Sequence, residues 1–598
     1  MLYNAGKKLI AGVFCILAVS LSAAADEFTR LQPLGLNHAG VYALRHTAPN
    51  LTGQGVNVAL VCRSMTYLDE TPQNDYRPDF AHRCLQNTPA TFYDSGNPPA
   101  GISPHDTAIA SILFGRDPNA SATGLGECNY EGVAPEALAA VYQFDYFISS
   151  NVIPQIAPAA KVVSASFGDE FEWWWTRGIE ALVEQKGLIF VAGIGNGADA
   201  LDPPLYPAAG ANIIGVGVVD SVDAQDIAAR LANFALARPE HSSYGPTGSG
   251  RCKPDIVAPG NCLVAEANDP NGYTAAGDFS SFATPVVAGT IGLLIQKAQL
   301  DPALAPAVSG KAQNCVIKAV LLNSAAKLPY WHKGLLTADD DHSAPLDYIQ
   351  GAGMVNAKAA YEQLIAGLAK PGEAPALGWD KNTLRADGQP YQVYRITLPE
   401  PAGKRITATA VWNNHYSNSY PFAALTEKDA DLRLELWAVD ANDPNSDYLL
   451  DYSDSPLDNV EHIYCRADAN YTDYEIILSI NDPDYPALAA VPQHYALAWN
   501  VAEDLDDDSI FWYDLSSDGI VNDADFVVLM DNWARCREQK EDYLIGDLNG
   551  NGTIDLDDVE ILIRHNNLKA DWYSEPQNAT VDNPRLTKIT DALTESSL

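Results

Sequence analysis

The stretch GDFSSFATPVVAG, Gly277 to Gly289, decides how the rest of the chain is read. Small and hydroxylated residues come first, Pro285 follows, and Val286 to Ile295 is an apolar run. Proline is tolerated in the opening turn of a helix, where its missing N–H would have no partner. A run that is apolar on nearly every face marks a buried helix. The pattern predicts such a helix with Ser281 at its N-terminus. There, backbone N–H groups and the positive end of the dipole are aimed at an oxygen that develops negative charge. Without further context the same serine is a cap on a core helix.

Outward from that helix, Leu36 to about Leu364 alternates between two patterns. Val56–Val61, Val162–Phe167, Leu188–Ala192 and Ile213–Val219 are short apolar runs of buried-strand type, while Thr107–Phe114 and Trp174–Gln185 read as helices. Strands alternating with helices predict an α/β fold, a parallel sheet with helices on both faces.

The motifs in this frame resemble those of the subtilases, the subtilisin-like serine peptidases. Their nucleophile pattern is Gly-Thr-Ser-x-Ala-x-Pro. Ser281, Phe282, Ala283, Thr284, Pro285, Ala288 and Gly289 fall in place, with Phe279 at the motif glycine and Ser280 at its threonine. His105, in SPHDTAIAS, matches the first histidine of the family's His-Gly-Thr-His pattern. Thr107 and Ala110 agree with it, Asp106 stands at its glycine and Ala108 at its second histidine. GIGNGAD, Gly193 to Asp199, resembles the oxyanion-hole segment and makes Asn196 the side-chain donor. SASFG, which contains Ser166, Phe167 and Gly168, resembles the strand edge that pairs with substrate backbone. YPAAGANIIGVGVVDS from Tyr206, KPDIVAPG from Lys253 and YIQGAGMVNAKAA from Tyr348 complete the pattern.

The departure is at the acid. The family ends a strand in Asp-Thr/Ser-Gly, and this chain has VALVCRS, so Cys62 occupies the aspartate position. That carboxylate fixes the histidine tautomer and stabilises the imidazolium, and a thiol is a weak acceptor. Asp106 is expected to point away from His105, because adjacent helix residues do not share a face. Asp69, Asp75, Asp79 and Asp278 are alternatives that only a structure can sort. The resemblance implies an endopeptidase acting on protein or peptide substrates through Ser281, His105 and Asn196, weakened at Cys62. The rival reading is a non-catalytic pseudopeptidase that binds peptides along Ser166 to Gly168.

The chain has 598 residues, which exceeds one core, and a formal charge of −40. That charge disfavours nucleic acid and anionic membrane surfaces as partners. Lys7 and Lys8, the apolar run Leu9–Leu21 and Ala23–Ala25 read as a secretory signal over residues 1–25, too short to span a bilayer. An extracellular, periplasmic or cell-surface location follows. The stretch between Ala25 and Gly53 is shorter than the inhibitory propeptide usual in the resembled family. Nine cysteines less Cys15 leave an even count, which permits disulfides in a secreted chain, and the short loop between Cys252 and Cys262 makes them a candidate pair.

The subtilisin-like segment covers residues 26–370. After a linker at Pro371–Pro375, the period changes to two through residues 371–503, with strands at Ile406–Trp412, Leu432–Trp437, Tyr474–Ile480 and Tyr495–Val501. This predicts an antiparallel β-sandwich, and it resembles the jelly-roll modules that follow many secreted peptidases. In residues 504–573, DLSSDGIVNDAD and DLNGNGTIDLDD repeat the spacing of EF-hand-type calcium loops. The first offers Asp514, Ser516, Asp518, the Ile520 carbonyl, Asn522 and Asp525. The second offers Asp547, Asn549, Asn551, the Thr553 carbonyl, Asp555 and Asp558. Each loop leads into one apolar helix, Phe526–Trp533 and Val559–Ile563, and the tandem resembles a type I dockerin. That resemblance implies calcium as cofactor and a cohesin-type scaffold as partner. Residues 574–598 form a tail.

Overall fold

The computed structural model describes residues 31–569 except 34, 65–66, 69–70, 73–74, 97–100, 198–202, 220–240, 278, 329–330, 335–341, 441, 482–491, 504–512, 516–519, 532, 534–545, 547 and 549–553. The signal-like segment therefore lies outside the described residues. The elements used below are labelled in chain order. Strands β1 Asn57–Cys62, β2 Ala90–Tyr93, β3 Leu138–Gln143, β4 Val162–Ala165, β5 Ile189–Gly193, β6 Ile214–Val219 and β7 Ile256–Pro259 form a seven-stranded sheet in the order β7-β6-β5-β4-β1-β3-β2. Every pairing in it is parallel. Strands buried along their length read as continuous apolar runs, so the runs around Val58, Val162, Val191 and Val216 were legible. Helices α1 Pro104–Phe114, α2 Trp174–Lys186, α3 Ser280–Leu300, α4 Gln313–Asn323 and α5 Ala357–Ile365 belong to the same unit.

Helix α3 is buried on nearly all sides, and it packs against α1 and against the sheet. It begins at Ser280, so Pro285 lies past the opening turn rather than in it. The missing Pro285 N–H leaves the carbonyl four residues back, that of Ser281, without its helical donor. The Ser166 hydroxyl takes that place, donating to the Ser281 carbonyl at 2.8 Å.

The strand order reverses at the β4–β1 pair, where open parallel sheets place their ligands outside the carboxyl ends of the strands. Cys62 ends β1, Ser166 follows β4 and Asn196 follows β5. The sheet thus delivers three of the sequence-predicted residues to one crevice.

Beyond Pro375, β8 Leu377–Leu384, β9 Tyr391–Thr397, β10 Lys404–Trp412, β11 Leu432–Val439, β12 Tyr448–Ser453, β13 Val460–Arg466, β14 Asp473–Ile480 and β15 Gln493–Glu503 form two sheets. One runs β9-β14-β11-β12 with Gly372–Glu373 on its edge, the other β8-β15-β10-β13. Pairing among these eight strands is antiparallel. Leu432, Leu434 and Leu436 are buried while Arg433, Glu435 and Trp437 are half-buried, the alternation of a strand with one covered face.

β15 differs. Tyr495, Leu497 and Trp499 pack toward the β9-β14-β11-β12 sheet, whereas Ala496 and Ala498 join the core of the first unit. Small residues on that face let the sheet approach α4, and polar groups complete the seam. Asn314 donates to Asn413 at 2.7 Å, and Asn323 donates to Gln363 at 3.0 Å. The Thr409 hydroxyl donates to Asn323 at 3.0 Å, and Gln363 donates to the Trp499 carbonyl at 2.9 Å. Asn212 exchanges bonds with Asn414, and His415 meets Glu184 at 2.6 Å.

No disulfide joins Cys252 to Cys262; all seven described cysteines are thiols. The expectation fails because β7 runs between them, and four extended residues span on the order of 13 Å, beyond the roughly 7 Å a disulfide bridges. Cys252 instead donates its thiol to the Leu346 carbonyl at 3.6 Å.

In the tail, α6 Asp523–Asp531 and α7 Leu556–Arg564 pack through Leu529, Ile554 and Leu562 onto Tyr513, Leu515 and Val521. Ala43 of the N-terminal helix Val41–Thr47 closes the same cluster.

Candidate active site

Ser281 is the second residue of α3 and is half-buried. Its N–H is one of the donors a helix start leaves over, and it makes no hydrogen bond among the described residues. The preceding residue is fully committed. Ser280 donates from its backbone to Asn196 Oδ1 at 2.8 Å and from its hydroxyl to the same oxygen at 2.9 Å, while that hydroxyl accepts from the Gly195 N–H at 3.2 Å. With its oxygen tied twice, Asn196 has a fixed orientation, and its exposed amide nitrogen is left to donate outward. Two donors, the Ser281 N–H and Asn196 Nδ2, therefore remain at the mouth of the crevice. Gly195 is at φ 119°, and a Cβ there would lie 2.5 Å from the Ser243 hydroxyl, so this approach requires glycine.

Beyond the last ladder pair, Ala165 with Ala192, the backbones of Phe167 and Gly168 make no backbone hydrogen bond among the described residues. Asp169 then pairs with Tyr206. The segment is open to an added extended chain, the geometry of β-strand addition. Ser166, read as part of that edge, also donates its hydroxyl to the Ser281 carbonyl.

His105 is the second residue of α1, after the N-cap Ser103 and Pro104. Its ring lies 6.1 Å from that of Phe282, one residue past Ser281. Its Nδ1 is buried and has no hydrogen-bond partner. Among the described residues, the nearest carboxylate oxygen is Asp106 Oδ1 at 3.6 Å. This corrects the expectation that the two side chains diverge: both sit in the opening turn, where no preceding turn separates them. Asp106 is buried, accepts from the Ser103 hydroxyl at 2.8 Å through its carboxylate, and donates its own N–H to that hydroxyl oxygen at 3.1 Å. Cys62 stands across from it. Burial first and the facing Asp106 second push the Cys62 thiol well above its ordinary pKa, so it stays a neutral donor.

The other carboxylates named from sequence fare differently. Asp79 accepts from the Ala81 and Asn268 N–H groups, and Asp75 accepts from the Ser64 hydroxyl. Asp69 and Asp278 lie outside the described residues. The sequence reading missed Ser280, Ser103 and Asp106. The signal for Asp106 was present as a pair of exchanges, a carboxylate lost at the strand end and one gained directly after the histidine.

In the tail, Ser516, Asp518, Asp547, Asn549, Asn551 and Thr553 lie outside the described residues. Among the described residues, no three His, Cys, Asp or Glu side chains gather as a metal site. Asp514, Asp525 and Asp558 are buried. Asp525 accepts from the Asn522 N–H at 2.6 Å, and Asp558 accepts from the Leu548 and Asp555 N–H groups at 2.8 Å each. Buried carboxylates curled inside their own loops suit a hard cation.

Residues 53–353 match the subtilase family. The chain is 29% identical over 280 residues to "Subtilisin-like protease SBT6.1" of Arabidopsis thaliana, covering 44% of this chain and 22% of that protein. It is 34% identical over 149 residues to "Membrane-bound transcription factor site-1 protease" of Homo sapiens, covering 24% of this chain and 12% of that protein. It therefore spans less than a quarter of the length of either relative. Among solved structures, the self-cleaved protease domain of PatA aligns at 23% identity with a TM-score of 0.35, covering 53% of this chain and 99% of that one.

Proposed function

The chain belongs to the subtilase family, and from that membership we propose that it is a serine endopeptidase working through Ser281 and His105. The observation that supports this most is the double tie of Asn196 Oδ1 to Ser280, which fixes the amide beside Ser281 and leaves its nitrogen and the Ser281 N–H free to donate. An extended substrate strand lies along Phe167 and Gly168. The Ser281 oxygen attacks the scissile carbonyl carbon while His105 Nε2 takes the hydroxyl proton. The carbonyl oxygen gains a negative charge that the two donors hold. The C–N bond then breaks, and the imidazolium returns its proton to the departing amine. A water repeats the sequence on the ester and frees Ser281.

Labelling with a serine-directed fluorophosphonate tests this reading on the full chain. Wild type should be labelled and should degrade unfolded casein, and Ser281→Ala should do neither. Equal casein turnover by both proteins would refute it. The neutral Cys62 thiol favours a second reading, a peptide-binding pseudopeptidase. It predicts that wild type escapes the probe yet binds peptides that Gly168→Val does not.

We also propose that the tail binds calcium through its two acidic loops and presents the enzyme to a cohesin-type scaffold outside the cell. No helix among the described residues is long and apolar enough to cross a membrane. Where a metal orders its own site, binding energy becomes folding energy. Helicity and Tm should therefore rise with calcium and fall with chelator, and identical curves would reject the metal.

A further inference from the structure

We propose that Asp106 is the positioning carboxylate of this site, orienting His105 through Nδ1 in place of the residue lost at Cys62; its effect on rate rests on the peptidase reading above. The family pattern puts an acid at the strand end and glycine after the histidine. This chain has Cys62 and Asp106 at those positions. The exchange keeps one carboxylate in the gap between β1 and α1 and changes which wall carries it. The smaller thiol on β1 makes room for the Asp106 side chain, and the two groups face each other in the buried interior.

Three observations carry the assignment. His105 Nδ1 is a buried nitrogen without a hydrogen-bond partner, a state native interiors rarely tolerate. Asp106 Oδ1 lies 3.6 Å from it, and among the described residues no other carboxylate oxygen lies within 4.0 Å. A closure of roughly 0.6 Å makes a charge-assisted bond, the tightening expected when substrate seats the imidazole. Finally, Asp106 is not serving as an ordinary cap. Ser103-Pro104-His105-Asp106 has capping-box spacing, in which the third helical residue would bond the N-cap N–H. Here the Ser103 N–H is taken by the Arg77 carbonyl at 3.0 Å. The Ser103 hydroxyl instead fixes Asp106 Oδ2, which leaves Oδ1 turned toward the ring.

The test compares wild type, Ser281→Ala, Asp106→Asn, Asp106→Gly and the double exchange Cys62→Asp/Asp106→Gly on a chromogenic peptide. Loss of the acid function costs about 10⁴ in turnover in the serine-peptidase case from which the figure comes. Asp106→Asn should accordingly lose roughly 10³–10⁴ in kcat with KM within about twofold. The double exchange should recover at least about tenfold over Asp106→Gly, because it returns the carboxylate to the strand. A purely structural Asp106 would not be rescued from the opposite wall. Independently of turnover, wild type with a bound boronate should show a strongly downfield Nδ1–H proton signal, absent in His105→Gln and lost in Asp106→Asn. Asp106→Asn within threefold of wild type in kcat, or a downfield signal that survives it, overturns the proposal. If wild type turns over no faster than Ser281→Ala, the peptidase reading fails, and the NMR-followed titration of the His105 ring in the free protein still decides the assignment: it should move on Asp106→Asn, and an unmoved titration overturns the proposal.

Discussion

The serine side and the histidine side of the crevice are built to different standards. On the serine side the supporting groups are held, Ser280 by Asn196 and Gly195 and the Ser281 carbonyl by Ser166, and only the Ser281 N–H and Asn196 Nδ2 are left to donate. On the histidine side, Nδ1 lacks a partner and the carboxylate stands just out of reach. The oxyanion donors must be in place before charge develops, because they act directly on the reacting atoms. The acid acts through the imidazole, so it needs proximity to Nδ1 and not a particular strand. That difference fits a serine motif that keeps Ser281, Ala283 and Pro285 while Cys62 and Asp106 change the histidine side.

The largest effect that would break this comparison is Ser281→Ala. It should lower kcat by roughly 10⁶, and a loss under tenfold on casein would mean that the serine side does no chemistry. Asn196→Leu should cost roughly 10²–10³ in kcat with KM nearly unchanged, measured on the same substrate.

The ground beneath the serine side has its own vulnerability. Glu180 of α2 is fully buried and accepts from the Asn212 N–H at 2.9 Å, and burial pushes its carboxyl up to about 7. A folded-state value above the unfolded one means stability that is present below about 4.5 and lost as pH rises through about 7. Urea unfolding across that window should show a decline on the order of 3 kcal/mol that Glu180→Gln removes. Ser166→Ala should lower stability by about 1–3 kcal/mol, read as a drop in Tm, because the Ser281 carbonyl then has neither helical nor side-chain donor. The smallest effect sharpens the comparison from the other side. Cys62→Ser keeps a neutral donor facing Asp106 and should leave kcat within about threefold, whereas a triad that used the thiol directly would collapse.

Much of this was legible in the residues. The buried strands announced themselves as apolar runs, and α3 as an unbroken one, because burial on both faces leaves little room for polar side chains. Asn196 was singled out only through the resemblance of GIGNGAD to an oxyanion-hole segment, since Gly-Asn-Gly by itself reads as a turn. Asp106 was not, because the rule that neighbours on a helix diverge describes the interior of a helix and not its opening turn. The Ser166 hydroxyl's bond to the Ser281 carbonyl was not legible, because nothing local reveals that Pro285 orphans a carbonyl elsewhere in the fold. Cys252 and Cys262 look adjacent in sequence, but an extended strand between them sets them apart.

The polar seam between α4, α5 and the β8-β15-β10-β13 sheet has a consequence for how the molecule comes apart. Separation would expose apolar area at a cost that scales with that area, and each amide pair crossing the seam would exchange its partner for water at a net loss of about 0.5–1.5 kcal/mol. Cutting the chain within Pro371–Pro375 should therefore leave the two pieces associated through gel filtration. Calorimetry should register one transition for residues 31–503 and not two. Expressed by itself, the segment ending at residue 370 would present Asn314, Asn323 and Gln363 to solvent beside bare apolar ground, an invitation to aggregation. The second unit should thus fold together with the first rather than ride on it as a separate domain.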